Sequence, residues 1–195
     1  PISKAYPCHN PDLPQHAYDP DKARALLEKS GVAGLTVPLH AADAPFTGAV
    51  DMAQLYAQQA AAAGITIDVR REPDDGYWSN IWGKRPMFAT KWSGRVSEDV
   101  MLSLAYSRES IGSWNETSWD NEAFNKALLA ARGEKDKEKR KQLYWECQAL
   151  ISQDGGLVAP LWADFLDATS DKVAHGELAN DWELDGARAG ERWWF

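Results

Sequence analysis

Two hydrophobic periods take turns along the first ninety residues. Ala23, Leu26 and Leu27 recur at helical spacing behind Asp19-Pro20, which supplies a capping carboxylate and a first-turn proline, and Gly31 ends the run. Leu35, Val37 and Leu39 then alternate with Thr36 and Pro38 as a strand, with Pro38 favouring a sheet edge or a strand end. A second helical stripe, Ala49, Met52, Ala53, Tyr56, Ala57 and Ala60, stops at Gly64. Ile65, Ile67 and Val69 alternate with polar residues as a second strand. Strand, helix and strand at these separations predict a right-handed βαβ unit. Asp74-Asp75 opens a short helix bearing Tyr77, Trp78, Ile81 and Trp82, and the apolar run over 87–92 is a third strand.

The later half is more helical. Helices are predicted over 98–108, 120–132 and 134–153. Phe124, Ala127, Leu128 and Ala131 line the second of these, with Asp120 as its N-cap and Gly133 as its stop. Leu143, Cys147, Leu150 and Ile151 line the third, which should pack against the second as an antiparallel pair across the Gly133 turn. After Gly155-Gly156 an apolar strand is expected over 157–161. The tail from Asp171 has no clear period and ends in Trp193-Trp194-Phe195, an aromatic triplet suited to plugging a groove. Residues 1–18, rich in Pro, Asn, His and Asp, read as a linker entering a domain that occupies 19–195. Pro1-Ile2-Ser3 is neither an initiator methionine nor a signal peptide, and the chain reads as a piece of something longer.

Composition narrows the partners. A chain of 195 residues with 44% apolar and 26% charged residues fits one soluble globular domain with a real core. The net charge of -8 argues against nucleic acid or an anionic membrane surface. The basic run over 135–141 is interleaved with Asp136 and Glu138 and reads as a solvated helix face. No apolar run approaches the ~20 residues that span a bilayer. Cys8 and Cys147 form no CxxC; a buried free thiol at Cys147 and a Cys8–Cys147 disulfide both remain open.

No catalytic constellation is present. His9, His16, His40 and His175 are scattered, and the glycine-rich, nucleophile-elbow and calcium-loop patterns are absent, so no catalytic residue, metal or cofactor is assigned. Binding chemistry is concentrated instead past the end of the third strand and in a later loop. Trp92, Ser93 and Arg95 occupy the first place, where ligands sit in open α/β folds. Trp114 and Asn115 occupy the second, and ten tryptophans in all make aromatic stacking a live option. Aromatic faces with a few polar groups hold a small organic molecule well and attack one poorly. The plainer readings are Trp92 as the last core residue of its strand, Asn115 as a turn cap and Trp119 as packing ahead of a helix.

Several segments resemble the C-terminal lobe of family 5 extracellular solute-binding proteins of ABC importers, the peptide, nickel and opine group. Tyr18-Asp19-Pro20-Asp21-Lys22-Ala23-Arg24-Ala25-Leu26-Leu27 resembles the family's opening helix into this lobe. Ala53-Gln54-Leu55 through Gly64-Ile65-Thr66-Ile67 is similar to its helix followed by a "G-I" strand, and Trp92-Ser93-Gly94-Arg95 to its Trp-containing ligand loop. Residues 136–144 and 155–161 resemble the charged stretch before an aromatic-bearing helix and the strand leading to an apolar-Pro pair. The order and spacing of these segments carry the resemblance, which covers nearly the whole chain.

The resemblance implies an α/β fold, one lobe of a type II periplasmic-binding-protein fold with a mixed sheet flanked by helices. Its expected partners are a small-molecule or peptide ligand, ABC permease subunits and a missing N-terminal lobe of the same chain. Its expected place is the periplasm. One departure bears on the ligand: peptide-binding members carry an Asp three residues after the loop tryptophan, where it pairs with the ligand's amino group, and Arg95 stands there here. A guanidinium favours a carboxylate or phosphate over an ammonium, which suggests an anionic or zwitterionic, opine-like ligand. The alternative is an ion pair of Arg95 with Glu98, Asp99 or Glu116. A signalling or chemosensory receptor, and a carbohydrate-active enzyme with a Trp-lined groove, are the rival functions.

Overall fold

The computed structural model describes residues 2–32, 34–179 and 182–195. By contacts the chain forms two compact units, Pro14–Trp92 and Pro1–Leu13 with Ser93–Phe195.

The first unit is the predicted βαβ. Asp19 caps α1 (Pro20–Ser30) by accepting from Lys22 N at 2.9 Å, and Gly31 closes it in the left-handed region at φ 73°, where glycine carries no Cβ penalty. Strand β1 (Thr36–Ala41) pairs in parallel with β2 (Thr66–Arg71), joined by α2 (Ala49–Ala61). Ala49, Val50 and Ala53 of α2 bury against Leu39, Ala41 and Ile67. Small residues on the helix allow this close approach to the sheet. At the carboxyl end of the pair, His40 is buried with its Nδ1 2.6 Å from Glu72 Oε1.

The expected third strand shrinks to a single bridge between His40 and Phe88. His40 N donates to Met87 O and Ala89 N to His40 O, at 3.0 and 2.9 Å. The reason lies in the direction of Pro38. Leu35 and Ala41 turn their carbonyls to Thr66 N and Glu72 N on the β2 side, whereas His40 faces residues 87–89. Pro38, two positions before His40, faces the same way as His40. Its missing N–H therefore takes nothing from the β1–β2 ladder and removes a rung on the other side. Tyr77 also donates to the carbonyl of Ala89 at 2.7 Å. The short helix α3 (Tyr77–Asn80) starts later than expected, because the Asp74 carboxylate accepts from Ala44 N at 2.8 Å.

The second unit is built on α4 (Glu98–Tyr106), α5 (Glu122–Gly133) and α6 (Lys137–Asp154). Met101, Leu102, Ala105 and Tyr106 of α4, Phe124, Ala127, Leu128 and Ala131 of α5, and Tyr144, Cys147 and Ile151 of α6 are the buried apolar residues of these helices. Asn121 caps α5 in place of Asp120, accepting from Phe124 N at 3.0 Å, while Asp120 pairs with Arg108 at 2.8 Å. The N-terminal stretch expected as a linker is bonded to α6 over part of its length. Gln148, itself buried, donates to Cys8 O at 2.7 Å and accepts from Asn10 N at 3.0 Å. Both cysteines are free thiols, and burial pushes each up to about 12.

Two expectations for the end of the chain fail. Residues 157–161 are exposed and pair with no strand among the described residues. Apolar character sets a strand's sides, but a ladder also needs a free edge to bond. The aromatic triplet plugs nothing: Phe195 is 98% exposed and Trp194 more than half so. Trp193 and Trp194 form β4 (Trp193–Trp194), antiparallel to β3 (Ala174–His175). Asp185 lies buried beside β4 in a left-handed turn, accepting from Ala179 N, Trp193 Nε1 and Arg192 Nε.

Candidate ligand-binding loops

Trp92 is the last residue of the first unit, and the chain re-enters the second at Ser93. The turn beyond is wrapped by its own arginine: Arg95 Nη1 donates to the carbonyls of Ser93 and Gly94, each at 2.9 Å. Arg95 is half-buried, and its main chain is gripped by the hydroxyl of Tyr6, which donates to Arg95 O at 2.6 Å and accepts from Arg95 N at 2.5 Å. At the start of α4, Asp99 accepts from Arg132 at 3.0 Å and from the phenol of Tyr144 at 3.2 Å. Burial, with the Asp99 charge second, lifts the Tyr144 phenol above its usual range. Burial first and Glu98 second raise the Cys8 thiol.

The second loop follows α4. Ser107 and Ser110 are buried, share a hydroxyl contact of 2.9 Å, and Ser110 Oγ donates back to Ser103 O at 2.7 Å. Asn115 is 3% exposed. Its two amide protons go to Ser107 O and Trp119 O, at 3.1 and 2.9 Å, and its oxygen accepts from Thr117 Oγ1 at 3.2 Å. The neighbouring Trp114 is 49% exposed. A satisfied polar core thus carries a half-exposed indole on the same loop. Trp119 packs on Phe124 with ring centroids 5.2 Å apart and donates to Asp154 at 3.0 Å, the packing role expected for it.

Of the five expected site residues, Ser93 and Arg95 are hydrogen-bonded within one turn, and Trp114 and Asn115 share one loop with opposite orientations. The nine-residue α4, about 14 Å long, separates the two places. Two shallow grooves of the first unit, one beside Pro14, His16 and Leu26 and one beside Leu27, Val32 and Ala63, contain none of the five. Tyr6, Ser107 and Ser110 were not singled out from sequence. Ser107 and Ser110 lie past the periodic end of α4, and Tyr6 acts across 89 residues. Among the described residues, no three His, Cys, Asp or Glu side chains gather as metal ligands, and no helix is long and apolar enough to cross a membrane.

Residues 1–114 match the bacterial extracellular solute-binding proteins, family 5 (middle region), and the chain belongs to that family. A dipeptide-binding protein of Pseudomonas aeruginosa is 28% identical over 145 residues, covering 70% of this chain and 27% of the relative. The chain thus spans about a quarter of the length of the curated relatives it matches. Among solved structures, the binding protein MoaA from A. tumefaciens, in complex with mannopinic acid, is 28% identical. Its TM-score is 0.65, with 77% of this chain and 31% of that one covered. The periplasmic binding protein DppA from Helicobacter pylori, in complex with the peptide STSA, shares the fold at a TM-score of 0.69 and 21% identity, over 79% of this chain and 31% of that one. The fold is the α/β fold of type II periplasmic binding proteins.

Proposed function

We propose that this chain is one lobe of the solute receptor of an ABC importer, which captures a small opine-like or peptide-like acid outside the cytoplasmic membrane and hands it unaltered to permease subunits. Family membership supports the receptor role, and the mannopinic acid complex of a relative at 28% identity supports the opine class. Arg95 carries the proposal: it follows Trp92 by three residues, where the family resemblance implies a carboxylate in peptide-binding members. An arginine there inverts the preferred ligand charge, since a guanidinium attracts a carboxylate and repels an ammonium.

In this reading Ser93 and Arg95 form the acid-recognising turn, with Trp92 immediately before it. Trp114 supplies a stacking face, and Asn115 holds the loop that presents it. The remaining contacts come from an N-terminal lobe outside this chain. In this reading the ligand leaves as it arrived.

Calorimetry on the full-length protein tests this with mannopinic acid and with a dipeptide carrying a free amino group. The expected result is tighter binding of mannopinic acid, with the ligand recovered unchanged. Preference for the dipeptide, or turnover of either compound, would overturn it.

A further inference from the structure

One side chain from the N-terminal stretch reaches the recognition turn. The Tyr6 hydroxyl donates to Arg95 O at 2.6 Å and accepts from Arg95 N at 2.5 Å, so a single phenol satisfies both main-chain polar groups of Arg95. The stretch that carries Tyr6 is itself fixed to α6. Gln148 bonds Cys8 O and Asn10 N, and Trp145 Nε1 donates to His9 O at 3.1 Å. Ile2 is buried, and its carbonyl lies 2.8 Å from His9 Nδ1. Tyr6 is therefore held from one side by a helix core and holds Arg95 on the other.

The geometry points to Tyr6 as a positioning residue for ligand recognition: its hydroxyl fixes the backbone of the 93–97 turn so that Arg95 meets the acid group of the ligand. This rests on the reading of Arg95 given under the proposed function. A phenol suits the task because one rigid hydroxyl both donates and accepts. Phenylalanine keeps the ring and loses both bonds, leaving the turn free to drift. A recognition group must sit within a fraction of an ångström of its productive place, so supporting bonds of this kind are felt in affinity.

The test uses the full-length protein and Tyr6→Phe, made in the native background and in Arg95→Ala. Hydrogen exchange without ligand should quicken over residues 93–97 while the loop around Asn115 stays as it was. Binding of mannopinic acid should fall roughly tenfold in the native background, the worth of one or two lost bonds, and change less than about twofold in Arg95→Ala. Unchanged exchange, or equal losses in both backgrounds, would overturn the proposal. If the native protein binds no mannopinic acid, the ligand reading falls by itself. Exchange then decides the brace alone: faster exchange supports it and unchanged exchange removes it.

Discussion

Asn115 donates to the carbonyl of Trp119 at 2.9 Å and so closes the loop from which Trp114 projects. Its second amide proton goes to Ser107 O. Cutting both bonds leaves two carbonyls without this donor in a buried setting. Asn115→Ala should destabilise the protein by about 1–3 kcal/mol, seen as a lowered unfolding midpoint in urea. Asn115→Asp, which has no amide protons to give, should fare no better. Wild-type stability in both would remove the loop-bracing role.

Trp114 is half-exposed, so its removal should touch folding little and ligand more. Trp114→Ala should weaken binding by about 1–3 kcal/mol in calorimetry if the indole stacks on the ligand. Thermal unfolding of the ligand-free variant should stay near the wild type. A stability loss equal to the binding loss would return Trp114 to a packing role.

The Asp185 carboxyl is held below the ordinary value of 3.8, chiefly by the hydrogen bond from Ala179 N, with Arg192 and Trp193 adding to it. A depressed carboxyl contributes stability that is complete above its unfolded value and lost as pH falls through the folded one. The Trp193 indole proton should therefore stay protected at neutral pH and lose protection only below pH 3.8. Asp185→Asn should loosen this segment already at pH 7. An indole signal indifferent to both would contradict the pairing.

Cys147 is fully buried, and burial raises its thiol to about 12; the half-buried Cys8 thiol is raised to about 12 as well, first by burial and then by Glu98. Little thiolate forms at pH 8, and the thiolate is the reactive species. Alkylation of the native protein should be slow at both positions and become fast in denaturant, with two thiols counted by mass. A mass two protons short before reduction would show a disulfide instead.

What the sequence made legible follows the range of the forces involved. The limits of α1 are local, a cap at Asp19 and a left-handed stop at Gly31, and both were readable. The β1–α2–β2 unit was equally plain because its two periods are uninterrupted. The third strand is not legible because its length depends on which way Pro38 faces, and that is a property of the assembled sheet. Trp114 and Asn115 looked like equals in a loop without period. Only the fold separates an indole facing out from an amide spent within. Tyr6 left no mark at all, since a phenol 89 residues from its partner has no spacing to betray it.

The charge at position 95 decides the central claim. Calorimetry on the full-length protein should compare Arg95→Asp with the wild type, using mannopinic acid and a free-amine dipeptide. The account predicts at least a tenfold loss of the acid, about 1.4 kcal/mol, together with a gain for the dipeptide. Unchanged affinity for both compounds would contradict it.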